Sequence, residues 1–333
     1  MTPRPTALRL LAIAASLAAP AARAAPQQDP ASIVTLQAEN DAVSTLRGTS
    51  DQYYTSGLRL GYVSPTTAVP GFLDRLGHGL WGDGVQRVSL NLSQSLFTPH
   101  DTQTYSPSPR DRPYAAVLAV TGQLIHDTDT ERTVLSVELG AIGPIAQGKE
   151  VQNGFHSIIG DTGNKGWPTQ LRNGFIGEVT PERTWRIPVG SIGPLALDAL
   201  PSITVGLGNL RDYVQAGFVF RIGQGLDSDF GVSRIQPGIS GTDAYTPTRP
   251  IAWYVFAGAD GQAVGRDATL NGDPQAGGRH VAPKWDVGEL ELGAAIMLRG
   301  VRVTYSQTWQ TQEFRTQRSG LFNFGSVAAS VRF

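Results

Sequence analysis

Ser326-Val327-Ala328-Ala329-Ser330-Val331-Arg332-Phe333 ends the chain, and its alternation decides how the rest is read. Val327, Ala329, Val331 and Phe333 fall on one face of an extended strand, with Ser326, Ser330 and Arg332 on the other, because strand side chains alternate with period two. Working back, Val301, Val303, Tyr305 and Trp309 alternate with Arg302, Thr304, Ser306 and Gln310. Near the other end, Leu58, Leu60 and Tyr62 alternate with Arg59 and Gly61. One apolar and one polar face on every strand, with aromatics near strand ends, predicts a transmembrane antiparallel β-barrel that is polar inside and apolar outside. The aromatic terminal residue, Phe333, fits a bacterial outer-membrane barrel, whose end is read by the barrel assembly machinery.

Twelve strands are expected, near 33–39, 52–64, 85–97, 113–126, 131–142, 169–179, 200–209, 213–222, 250–259, 286–298, 301–313 and 322–333. An even number puts both termini on the periplasmic side. Residues 127–130 and 299–300 then become short periplasmic turns, and 98–112, 143–168 and 260–285 long extracellular loops. Two connections break the pattern. Residues 65–84 and 223–249 are long yet fall on the periplasmic side; a helix around Phe72 to Leu80 accounts for the first, and the second has no account.

Arg4 and Arg9, the apolar run Leu10 to Ala19, and Ala22-Arg23-Ala24 read as a secretory signal, residues 1–24, cleaved after Ala24. That run is shorter than the roughly 20 apolar residues of a spanning helix. Residues 25–333 then form one barrel domain, placed in the outer membrane of a Gram-negative cell. There are no cysteines, which excludes disulfides and thiolate metal sites. A net charge of −1 gives no argument for nucleic acid. Of the 27 basic residues only Lys149, Lys165 and Lys284 are lysines. The arginine fork suits bidentate phosphate binding, but a GC-rich genome is the favoured explanation of the skew.

Polar residues gather in the connections assigned to the outside. Glu150 to Ile159 predicts a short helix in an extracellular loop, with Val151, Phe155, Ile158 and Ile159 on an apolar face expected to pack on the barrel rim. Gln152 and His156, four apart, share another face, where a histidine held in one orientation suits a general base. His78, His100, His126 and His280 are scattered and read as surface or lumen residues. No G-x-S-x-G elbow is present, and Ser157 directly follows His156, so activated water is preferred to a serine nucleophile.

Glu39-Asn40-Asp41, Tyr53-Tyr54-Thr55-Ser56-Gly57, Asp111-Arg112-Pro113-Tyr114, the run Gly143 to Gly160 and Lys165-Gly166-Trp167-Pro168-Thr169-Gln170 together resemble the LpxR-type lipid A deacylases. The resemblance runs from Glu39 to Phe333 and is strongest over Asn40–Gln170. It implies a calcium-dependent outer-membrane enzyme that removes the 3′-acyloxyacyl group of lipid A, with lipopolysaccharide as substrate and the site facing the extracellular side. It makes His156 the base that activates water and Gln152 the residue that positions water or substrate. Asn40 and Asp41 would lie at the calcium site, and Thr55 would line the pocket. Carboxylate and amide oxygens are suitable donors for this hard cation. The family's site lysine has no counterpart between the third and fourth strands, where His100, Arg110 or Arg112 are the replacements. Arg112 is read either as a substrate contact or as a loop brace, and Lys165 and Trp167 as a loop clasp or a lipid headgroup contact. An outer-membrane phospholipase and a non-enzymatic pore or structural barrel are the competing functions.

Overall fold

The computed structural model describes residues 28–45, 51–236, 241–272, 278–318 and 320–333; the signal-peptide reading lies outside them. Thirteen strand segments form one antiparallel sheet. They are β1 (Ile33–Asn40), β2 (Tyr53–Val63), β3 (Val85–Thr98), β4 (Ala115–Asp127), β5 (Glu131–Ile142), β6 (Gly174–Trp185), β7 (Ile187–Ile192), β8 (Leu195–Gly208), β9 (Arg211–Gln224), β10 (Ile251–Asp267), β11 (Asp286–Leu298), β12 (Val301–Thr311) and β13 (Leu321–Arg332). β6 and β7 pair with the same strand in sequence, Thr184 facing Ser202 and Ile187 facing Ala199. They are one barrel strand interrupted at Arg186, so the sheet has twelve staves, as the alternation predicts. It closes through β1–β13 and β6–β8, which removes both sheet edges.

The two faces are those of a membrane barrel. Leu36, Leu60, Leu90 and Leu292 are half exposed on the outside, while Thr35, Gln37, Asn91 and Glu291 are buried inside. A soluble sandwich would reverse this order. No helix among the described residues is long and apolar enough to cross a membrane, so any crossing is made by strands.

The start of the first strand and the end of the last lie at one end of the barrel, where Ser32 and Phe333 exchange backbone hydrogen bonds. The expected helix at that end is α1 (Gly71–Trp81). At the far rim, α2 (Gly148–Ile159) lies in the β5–β6 connection, and the four-residue α3 (Ala268–Asn271) follows β10.

The described parts of the unexplained connection, residues 225–236 and 241–250, turn back into the lumen and plug it. Arg302 binds Asp229 at 3.1 Å and the Thr242 carbonyl at 3.2 Å. Arg59 binds Asp243 at 2.8 Å, Arg132 binds Thr242 at 2.7 Å, and Arg234 of the plug binds Glu289 of β11 at 2.7 Å. Such buried charges are tolerated because each faces an opposite charge or a hydrogen-bond acceptor. Many of the arginines therefore line the lumen rather than a phosphate site. A polar cavity of about 220 Å³ remains between the plug and strands β3–β9.

Candidate active site

Three distant stretches meet at the far rim. The first is the end of β1 and the turn after it. Asn40 does not point into open space; its side-chain oxygen accepts the Ala42 N–H at 2.7 Å and caps the turn Asp41–Val43. Asp41 is buried at 1% exposure and accepts the Gln52 N–H at 2.8 Å. Burial pushes its carboxyl well above the ordinary carboxylate range, and the neighbouring Asp51 charge adds to the push against the Gln52 hydrogen bond.

The second stretch enters β2. Asp51 and Tyr53 both adopt left-handed backbone angles, φ 55° and 62°, which cost side-chain-bearing residues energy and gather where a chain is forced into one shape for a purpose. The β2–β3 register then slips between Tyr54 and Ser56, leaving Thr55 as a bulge. Thr55 is buried and shares a hydrogen bond of 2.7 Å with Thr98, whose hydroxyl also donates to the Asp51 carbonyl at 2.9 Å. The twists and the bulge together turn the Asp51 carboxylate toward α2.

The third stretch is α2. It begins at Gly148, where a Cβ would sit 2.5 Å from the Ala116 Cβ and 2.6 Å from the Trp167 ring, so only glycine lets the helix come this close to β4. Gly160, φ 76°, ends it, and its N–H donates to the His156 carbonyl. Gln152 and His156 face inward at 5% exposure. The Trp167 indole donates to the Gln152 carbonyl oxygen at 2.8 Å, and the Gln152 amide donates to Asp51 at 3.2 Å. His156 Nδ1 lies 3.0 Å from the Thr162 carbonyl. A carbonyl only accepts, so Nδ1 carries a proton and Nε2 is the ring nitrogen left to exchange one. That Nε2 points at the Asp51 carboxylate, 3.4 Å away.

Among the described residues, Asp51, His156 and Asp161 form the group whose ligand atoms lie within 4.8 Å of one another. Burial raises the Asp51 carboxyl above its ordinary value; His156 and Gln152 oppose this, and Asp161 reinforces it.

The geometry corrects several expectations. The carboxylates beside His156 are Asp51 and Asp161, neither singled out in the sequence, while Asn40 and Asp41 hold the turn behind them. The signals available were local: Asp51 stands two residues before the Tyr53-Tyr54-Thr55 motif, and Asp161 directly follows the glycine that ends α2. The apolar face of α2 does not pack on the rim. Phe155, Ile158 and Ile159 are 55%, 84% and 57% exposed, because the polar face is the one the barrel binds. Arg112 is fully buried, bonded to Glu313 at 2.9 Å and Thr269 at 3.0 Å, with its guanidinium over the Phe97 ring. It braces the loops and has no surface left for a substrate. Trp167 is likewise fully buried as the clasp on Gln152. Lys165 keeps a half-exposed position, its N–H bonded to the Thr102 carbonyl. Of the three stand-ins for the missing lysine, His100 is the one at the site: its Nδ1 bonds the side chain of Gln52, next to Asp51.

A closed barrel with an apolar outer wall, a polar lumen and a histidine–carboxylate group on one rim defines an outer-membrane β-barrel with a polar rim site. The family model described as outer membrane protein LpxR matches residues 10–333, and the chain belongs to that family. Among solved structures, LpxR from Salmonella typhimurium is similar at 23% identity and a TM-score of 0.76, covering 90% of this chain and all of that one. The β domain of the Bordetella autotransporter BrkA is similar at 10% identity and a TM-score of 0.43, over 92% and 98% of the two chains. The translocator domain of NalP from Neisseria meningitidis is similar at 13% identity and a TM-score of 0.41, over 98% and 94%. Those two are too distant to bear on the site. No curated protein matches the chain in sequence.

Proposed function

We propose that this protein hydrolyses an acyl ester of lipid A at the outer leaflet, with the rim site on the extracellular side. The observation that carries the reading is the His156 ring, fixed through Nδ1 by the Thr162 carbonyl with Nε2 facing the Asp51 carboxylate at 3.4 Å. On this reading Nε2 takes a proton from a water molecule as its oxygen attacks the ester carbonyl. The same nitrogen returns the proton to the departing sugar oxygen, so the base is restored. Gln152, held by Trp167 on one side and Asp51 on the other, orients the water or the ester.

The residues present fit a calcium ion. Asp51 and Asp161 are close carboxylates of a kind a hard cation binds, and burial, with a smaller push from Asp161, raises the Asp51 carboxyl. When bound, the cation supplies positive charge to the ester oxygen as it becomes anionic. Asp41 acts from behind by holding the Gln52 amide, and so the Asp51 turn, in place.

The apolar face of α2 supports a lipid substrate. Phe155, Ile158 and Ile159 point away from the protein on the helix that carries His156, in line with the half-exposed apolar belt of the strands. The resemblance to the lipid A deacylases directs the substrate choice and, within it, the 3′-acyloxyacyl ester. A pore is disfavoured by the plug.

Purified protein incubated with lipid A and, separately, with glycerophospholipids tests the reading by mass spectrometry of released acyl chains. Release from lipid A is expected. Release from glycerophospholipid alone would replace the substrate, and no release from either would remove the activity.

A further inference from the structure

The plug has a second feature that sealing the lumen does not require. Its innermost backbone binds Glu39, the residue immediately before Asn40 and Asp41. The Ile235 N–H donates to Glu39 Oε1 at 2.8 Å and the Gln236 N–H to Oε2 at 3.1 Å. Gln37 Nε2 donates to Oε1 at 3.3 Å and the Tyr54 hydroxyl to Oε2 at 2.7 Å. A carboxylate accepts through about four lone-pair positions, and here four donors from three segments meet one that is 1% exposed.

The three segments matter because of where each leads. Glu39 leads to the Asn40–Asp41 turn, and Tyr54 sits between the left-handed Tyr53 and the Thr55 bulge. The Tyr54 ring is wedged against Phe324 at 5.0 Å and Phe97 at 5.5 Å, so its hydroxyl has little freedom. The plug is fixed in turn by Arg234, bonded to Glu289 at 2.7 Å with its guanidinium 5.1 Å over Phe324. An unbroken chain of contacts follows: plug to Glu39, Glu39 to the Asp41 turn, Asp41 to the Gln52 N–H, and Asp51 to His156.

We propose that the plug is a positioning element for the rim site, with Glu39 as the joint that transmits its position to Asp41 and Asp51. Its activity arm rests on the function proposed above; its structural arm does not. Glu39 touches neither His156 nor Asp161 in any recorded contact, so it is a positioning residue. Loosening the joint leaves the chemistry's groups present but misplaced, which lowers turnover more than substrate affinity.

Two single variants and their combination test this in the full-length protein. Glu39→Gln keeps the shape but places an N–H₂ where only acceptors belong. Ile235→Pro removes the stronger backbone donor from the plug side. Each is expected to lower kcat about tenfold at a KM within about twofold of the parent. Heat-modifiable migration of the barrel stays as in the parent. Amide exchange over residues 41–54 is expected to quicken in both, with β12 and β13 unchanged. The double variant should be no worse than the poorer single one, because both break one joint. Parental exchange over 41–54 in either variant, or losses that multiply in the double one, would overturn the proposal. If the parent releases no acyl chain from lipid A, the function fails and the exchange measurement alone decides the joint.

Discussion

Two long connections leave this barrel from opposite ends, and they resolve their polar residues in opposite ways. The β9–β10 connection folds inward and buries its charges: Asp229 faces Arg221 at 2.6 Å and Arg302 at 3.1 Å, and Asp243 faces Arg59. Its buried carboxylates Asp229 and Asp243 each meet a guanidinium. At the far rim Asp51, from the β1–β2 connection, and Asp161, from the β5–β6 connection, meet each other and His156, and the ion partner of Asp51 is that histidine. The plug is built as structure, with charges balanced inside a low-dielectric space. The rim has the character of a site, with a carboxyl that holds its proton to higher pH than an ordinary aspartate and a histidine nitrogen facing it. Asp51 has a histidine as its ion partner where Asp229 and Asp243 have arginines, and that difference in partner separates the two regions.

Substitutions should divide along that line. The largest effect is expected from His156→Ala, which removes the base: hydrolysis falls by at least about a hundredfold, while heat-modifiable migration is unchanged. Retained activity would take His156 out of the mechanism and weaken the contrast. Next is Asp229→Ala in the plug, which takes one of two carboxylate partners from Arg221 and the nearer of two from Arg302. Removal of one partner from such a pair costs roughly 3–5 kcal/mol, seen as a lower temperature of barrel unfolding on gels. An unfolding temperature equal to the parent's would mean the plug does not hold the fold.

Asp51→Asn comes third, with activity expected to fall about tenfold or more and calcium activation to require a higher concentration. The pH dependence sharpens the same point. A cation binds the ionised carboxylate, and Asp41 and Asp51 both hold their protons to a higher pH than ordinary aspartates. Calcium affinity should therefore be greatest at high pH and fall as pH drops, beginning above the usual carboxylate range. A calcium titration flat across that window, or full activity in chelator, would remove the cation from the site. The smallest effect is expected from Ile158→Ser on the exposed face of α2: a few-fold loss on lipid vesicles and none on substrate dispersed in detergent. Equal losses in both would place that residue in folding rather than in the lipid.

The site was partly legible before the structure. Gln152 and His156 four apart on a short helix, and Thr55 at the start of β2, all stand at the rim, and the helix runs Gly148–Ile159 against an expected Glu150–Ile159. The helix was read inside out, because an apolar stripe says only that one face avoids water. Around a membrane barrel the apolar surroundings lie outside, and the protein takes the polar face. Arg112 and Trp167 were read at the surface or as clasps, and burial decided for the clasp in both.

Period-two alternation is a property of each strand alone, so the chain determined by itself that twelve strands would close with polar residues inward, with tight turns at 128–130 and 299–300. What met what was left to closure. Gln152 bonds Asp51 from 101 positions away, and Ile235 bonds Glu39 from 196. Contacts at that separation follow from which staves become neighbours and from how a loop enters the lumen, and no local pattern carries that information. Closure of the barrel put an aspartate beside a histidine, and the inward fold of the described plug residues put their backbone on Glu39.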